Sequence, residues 1–185
     1  MELKHKHLVV LSSPSGGGKT TIAKFLLEKY KQLKFSISAT TRKIRHGEVH
    51  GKDYFFLSVL EFEKKISKSE LVEYEMIFNN YYGTLKSEIN NALTNNEFLL
   101  FDVDVKGALS IKRAYPDDTA LIFIAPPSFE LLEMRLRSRS TETDEQIKLR
   151  LERAKMELEM KNNFDYIIIN DILENALNAD RKSVV

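Results

Sequence analysis

Ser13-Pro14-Ser15-Gly16-Gly17-Gly18-Lys19-Thr20 decides the fold of this 185-residue chain. The three glycines lack Cβ atoms, so the backbone there can curl and aim successive N–H groups inward. Before the loop, Lys6 to Ser12 reads as a short buried strand around Leu8-Val9-Val10-Leu11. After it, a helix is expected from about Lys19 to Tyr30, with Ile22, Phe25, Leu26 and Tyr30 near one face. Strand, small-residue loop and helix in that order open a βα repeat. The start of the helix adds a dipole that favours an anion. The eight residues follow the phosphate-loop pattern G-x-x-x-x-G-K-[ST], with Ser13 in the place of the first glycine. What Ser13 does to the first turn depends on its φ. Lys19 would reach the β- and γ-phosphates of a nucleotide, and Thr20 would offer a hydroxyl to Mg²⁺. Such a loop also needs an acid at the end of a neighbouring strand to hold the ion through its water shell. Asp102, directly after Phe98-Leu99-Leu100-Phe101, fits.

Further along the chain the apolar runs Phe98–Phe101, Leu121–Ile124 and Tyr166–Ile169 read as buried parallel strands. Strands alternating with helices predict an α/β fold, a central parallel sheet with helices on both faces. Pro126-Pro127 ends the second run, and Ser128 is placed to cap a helix through Leu136. A charged helix from Thr143 to about Lys161 carries Ile147, Leu151, Ala154 and Leu158 at helical spacing, and a last helix is expected over about Leu173 to Ser183, short before Val185. Between Phe35 and Ile89 the texture changes. Ser36–Ser38, Tyr54–Leu57 and Leu71–Ile77 read as strands, Leu60–Ile66 as a helix, and Thr40–Asp53 as a polar loop with Gly47 and Gly51. A further helix, Thr84 to Asn95, would be capped by Thr84. This stretch reads as an inserted subdomain.

Hydrophobic residues make up 43% and charged residues 30%, enough for a core without staples. There is no cysteine, so disulfides and thiolate metal sites are excluded. A net charge of +1 gives no broad basic surface for nucleic acid. The four apolar residues after the basic N-terminus are too few for a signal peptide or a membrane span, so the cytoplasm is the expected compartment. The histidines, His5, His7, His46 and His50, fall in segments read as exposed and receive no chemistry.

The insert discriminates among proteins with such a loop. Ser36-Ile37-Ser38-Ala39-Thr40-Thr41-Arg42, Arg45, Gly47-Glu48 and Tyr54-Phe55-Phe56 resemble the guanylate kinase family. So do Asn80-Tyr81-Tyr82-Gly83-Thr84, Asp102-Val103-Asp104-Val105-Lys106-Gly107, Ile124-Ala125-Pro126-Pro127-Ser128 and Asn170-Asp171. The resemblance runs from about Leu8 to the C-terminus, in family order and spacing. It implies a P-loop NTPase three-layer fold with an inserted GMP-binding subdomain and a helical lid. The implied boundaries are a core of residues 1–34, 85–126 and 163–185, an insert of 35–84, and a lid of about 127–162. It implies transfer of the γ-phosphoryl group of ATP to GMP, with Mg²⁺, no nucleic acid or membrane, and no obligate protein partner.

By the same resemblance, Ser38, Arg42, Arg45, Tyr54, Glu73, Tyr82 and Thr84 contact GMP, and Asp104 stands near the base edge. Ser13 to Thr20, Arg135, Arg139, Asn170 and Asp171 would bind ATP, the last two near its base. Lys19, Arg42, Arg139 and Arg150 would neutralise charge during transfer, with Arg150 also facing GMP. The chemistry agrees. Arginine forks suit a phosphate monoester. A carboxylate such as Glu73 can accept from guanine N1–H and N2–H₂ together, while Ser38 and Thr84 could donate towards O6. Adenine would leave those groups mispaired, at about 1–3 kcal/mol for each buried group. The nucleophile is a phosphate oxygen, so no general base is required. Arg135, Arg137, Arg139, Arg150 and Arg153 resemble the lid, although Ser140 stands where the family usually has glycine. Three other readings stay open: a kinase for another nucleoside monophosphate, a related module that binds phosphorylated peptides, and a related enzyme acting on a sugar phosphate. Lys19, Thr20 and the lid arginines weigh against the second, and Glu73 with Ser38 and Thr84 against the third.

Overall fold

Leu8, Val10 and Leu11 are buried because β1 (Leu8–Ser12) runs up the middle of a five-stranded sheet. In a computed structural model of the chain, residues 6–138 and 143–171 are described. The sheet order is β2-β7-β1-β8-β9, with β2 at Leu33–Phe35, β7 at Phe98–Asp102, β8 at Thr119–Ala125 and β9 at Tyr166–Ile169. Every pairing in it is parallel. Alternation along the strands explains the layers, since successive side chains point to opposite faces. Val10, Phe101, Leu121 and Phe123 face one way, against α3 (Lys86–Thr94) and α4 (Val105–Ala114). Leu11, Leu100 and Ile124 face the other way, against Ile22 and Ala23 of α1 (Lys19–Lys29). Each fully buried large side chain contributes roughly 1.5–3 kcal/mol.

The second sheet has the order β4-β3-β6-β5, built from β3 (Ala39–Thr40), β4 (Phe55–Phe56), β5 (Leu71–Ile77) and β6 (Asn80–Leu85). On it packs α2 (Val59–Ser67), whose Phe62 is fully buried and stacks on Tyr81 with ring centroids 5.0 Å apart. Ser58 and Glu61 form a reciprocal cap at the start of α2. Past β8 come α5 (Phe129–Arg137), capped by Ser128, and α6 (Asp144–Glu159), capped by Thr143 with Gln146. A 3-10 turn, Met160–Asn163, leads into β9.

Two local expectations are corrected, and one element is added. Ser36–Ser38 is not a strand. It is the crossing between the sheets: the Ser36 N–H donates to Leu100 O in the first, and Ser38 O accepts from Phe55 N–H in the second. Thr84 does not cap a helix. It lies within β6, which runs on to Leu85, and α3 begins at Lys86 without a side-chain cap. A helix absent from the sequence reading, α4, follows Asp104, whose Oδ1 accepts from the Gly107 N–H at 2.7 Å. The expected last helix lies outside the described residues. Among the described residues no helix is long and apolar enough to cross a membrane.

Candidate active site

The phosphate loop leaves the end of β1 and turns into α1. Gly16 and Gly18 have φ of +87° and +90°, in the left-handed region that favours glycine. Ser13 is not in that region, so the missing first glycine is no backbone defect. Its hydroxyl is buried and donates to Pro14 O at 3.0 Å. From the end of β9, Asn170 closes the loop from behind. Its backbone N–H donates to Ala125 O and its Nδ2 to Gly17 O, both at 2.8 Å. A Cβ on Gly18 would run into that same carboxamide nitrogen. Arg135 of α5 donates to Asn170 O at 3.2 Å, and Asp171 is exposed.

Lys19 Nζ lies 2.7 Å from Asp102 Oδ1 and donates to Val103 O at 2.7 Å. Thr20 Oγ1 lies 3.5 Å from Asp102 Oδ2, a long and weak contact. The end of β7 thus brings Asp102 to the two loop residues that the pattern singles out.

Lys19 and Asp102 line a cleft of about 370 Å³ that also holds Ser38, Tyr54, Glu73, Tyr82 and Asp104. That size falls within the roughly 300–1,000 Å³ of small-molecule sites. Glu73 stands on β5, paired in register with Thr84 on β6. The Thr84 hydroxyl donates to Glu73 Oε1 at 2.6 Å, so its proton is committed to the carboxylate. Gly107 makes room beside Glu73 Oε2, 3.2 Å from where its Cβ would sit. Burial pushes the Glu73 carboxyl above the usual range. The Thr84 hydrogen bond opposes this, and the like charges of Asp104 and Glu75 add to it.

Arg42 is held by a fork. Its Nη1 and Nη2 donate to Glu48 Oε2 and Oε1 at 3.0 and 2.7 Å. Glu48 Oε2 also accepts from the Arg45 backbone N–H at 2.7 Å. Arg42 lies over the rings of Tyr54 and Phe56, 5.3 and 5.6 Å from their centroids, which sets it beside the cleft. The Tyr54 and Tyr82 rings meet edge to face at 6.1 Å. Arg45 is exposed, and Arg150 is half-buried on α6. Neither lines the cleft, nor do Arg42, Thr84 and Arg135. Arg139 lies outside the described residues.

Two participants escape the sequence reading. Glu48 appears there only within a motif, yet it orients Arg42. Arg153 of α6 appears only among the five arginines that resemble the lid, with no role of its own, yet it lines the cleft and donates to Asp104 and Glu75 at 3.0 and 3.3 Å. Its i,i+4 partner Glu157 was the available signal, and it points along the helix rather than across the fold.

A family model described as guanylate kinase matches residues 5–184. The chain belongs to the guanylate kinase family. Its relatives include a guanylate kinase of Chlorobium luteolum, 49% identical over 172 residues that cover 93% of this chain and 87% of that one. A guanylate kinase of Rickettsia felis is 46% identical over 186 residues, covering 100% and 96%. The solved structure of guanylate kinase from Anaplasma phagocytophilum superposes with a TM-score of 0.72 at 31% identity, covering 97% of this chain and 84% of that one. A guanylate kinase family member with this α/β architecture has the P-loop NTPase fold.

Proposed function

We infer that this chain is an ATP:GMP phosphotransferase, which moves the γ-phosphoryl group of ATP onto GMP and gives ADP and GDP. The observation that carries the reading is one cleft with two chemistries. Lys19 and Asp102 of the phosphate-loop side share it with Glu73 and Tyr82 of the second sheet and with Ser38 and Tyr54, which flank that sheet's β3 and β4. A donor phosphate and an acceptor can therefore meet without water between them.

Glu73 accepts from guanine N1–H and N2–H₂, with Thr84 orienting the carboxylate and Ser38 donating towards O6. Arg42, Arg45, Tyr54 and Tyr82 take the GMP phosphate, and Asp104 backs the base edge. Ser13 to Thr20 wrap the ATP phosphates through backbone N–H groups. Lys19 exchanges Asp102 and Val103 O for phosphate oxygens as ATP arrives. Arg135, Arg139 and Arg150 supply positive charge from residues 127–162, acting as a lid over a core of 1–34, 85–126 and 163–185 and an insert of 35–84. Asn170 braces the loop while Asp171 faces the ATP base.

The residues present fit Mg²⁺. The Thr20 hydroxyl and the Asp102 carboxylate, 3.5 Å apart, are hard oxygen donors of the kind that ion prefers. Thr20 would hold it directly and Asp102 through water, and the bound ion would offset charge on the phosphates. The chain's own residues then bind, align and exclude water. The cysteine-free composition fits a cytoplasmic enzyme, and the net charge of +1 weighs against nucleic acid as a partner.

A coupled ADP-release assay with GMP, AMP, CMP, UMP and dTMP tests the reading. GMP should dominate, and a clear preference for another base would overturn it.

A further inference from the structure

Carboxylates crowd one side of the cleft. Glu73 and Glu75 stand on β5 and Asp104 caps α4, all three lining the cleft, and Glu157 of α6 lies beside them outside that lining. Arg153 meets three of the four. Its Nη2 lies 3.0 Å from Asp104 Oδ2 and 3.3 Å from Glu75 Oε1, and its Nε lies 3.0 Å from Glu157 Oε1. The second oxygen of Glu157 is buried without a hydrogen-bond partner. Arg153 and Lys19 are the cations among the residues lining the cleft, and Lys19 is spent on Asp102. Lys106, exposed on α4, stands outside that lining. Charge balance around the base-reading end therefore falls to Arg153.

These contacts are not those of an ordinary surface helix. Arg153 and its partners lie 78 and 49 residues apart in the chain for Glu75 and Asp104. They join α6, the second sheet and the α4 end of the first layer at one guanidinium. Each pair is partly exposed, so its worth as a fold-stabilising bridge is small. Its effect on a neighbouring group inside the cleft is larger, because the medium there screens less.

We propose that Arg153 is a positioning residue for the acceptor base: it orients Asp104 at the base edge, holds Glu75 towards α6 and offsets the charge of both, so that Glu73 keeps its place against guanine. This rests on reading the cleft as the GMP site. Without Arg153, Asp104 loses its orientation at the base edge, and the uncompensated charges of Asp104 and Glu75 repel Glu73 from its place.

The test is steady-state kinetics of Arg153→Met and Arg153→Lys, varying GMP and ATP separately, with melting temperatures alongside. Arg153→Met should raise KM for GMP about tenfold and move KM for ATP less than threefold. Arg153→Lys should recover part of the loss, because it restores charge without the fork. Adding Glu75→Gln to Arg153→Met should lower KM for GMP again, by removing a carboxylate that has lost its partner. An unchanged KM for GMP, equal rises in both KM values, or no rescue by either second change would overturn the proposal. Wild-type enzyme with no preference for GMP would instead overturn the reading of the cleft, whatever Arg153 does.

Discussion

Lys19 has two oxygen partners before any nucleotide arrives, and Glu73 has one hydroxyl and two like-charged neighbours. Lys19→Ala should lower kcat by at least about a hundredfold, the usual cost of removing a preorganised charge from a transition state. GMP affinity, measured by calorimetry, should change little, because Glu73 and the tyrosines remain. Glu73→Gln places an amide donor against guanine donors. It should weaken GMP by about 1–3 kcal/mol and leave ATP affinity alone, and equal losses would count against a base-reading role. The same variant carries a pH signature. A carboxyl raised by burial gives its full stabilisation below its unfolded pKa and loses it as pH rises through the folded value. Glu73→Gln should therefore gain melting temperature relative to wild type as pH climbs above the ordinary carboxylate range. A gap that ignores pH would remove burial as the cause. At this scale the sequence named the residue types but not their partners. Thr84 was legible as a hydroxyl near guanine, yet its proton goes to Glu73, because only the β5–β6 register brings the two face to face.

The phosphate loop as an element is held by shape as well as by sequence. Gly18 needs a left-handed φ, and Asn170 fills the space where a Cβ would go. Gly18→Ala should cost about 1–2 kcal/mol for the backbone alone, and more for the clash. Asn170→Ala in the same chain relieves only the clash, so urea unfolding of the double variant should show less than the summed loss. Glu48→Gln releases one arm of the fork on Arg42. KM for GMP should rise several-fold with little change in melting temperature, and an unchanged KM would mean that the fork does not orient Arg42. Elements were legible where a strong period met a strong boundary: α5 after Ser128, α6 after Thr143, and β1, β7 and β8 as apolar runs. They were hidden where one residue served two masters. Gly107 weakens the helical pattern of α4, yet its missing side chain makes room for Glu73. Ser36–Ser38 alternates like a strand, yet it carries the chain from one sheet to the other.

On the scale of the whole molecule, the two sheets meet at the cleft, and α6 reaches the second sheet and the start of α4 through Arg153. Ligands that bind the folded state alone add stability, about 2.7 kcal/mol at a hundred times Kd, which is roughly 5–10 °C for a chain of this size. GMP and ATP should each raise the melting temperature of wild type, and Glu73→Gln should lose the GMP shift while keeping that of ATP. Loss of both would place Glu73 in the fold rather than in recognition. The architecture was readable because alternating strands and helices leave few arrangements. The layout of the insert was not, because its short strands gain stability only once α2 covers them. The position of β1 has a consequence for how the protein is made. β1 emerges first, but its partners are residues 98–102 and 119–125. At about 5–20 residues per second, the loop that follows β1 waits on the order of ten seconds for its neighbours. Until then it is a tether of glycines on an unpaired apolar strand. The second sheet, closed within residues 39–85, can assemble during that wait. The half that would choose the substrate can thus be finished on the ribosome before the half that would energise it.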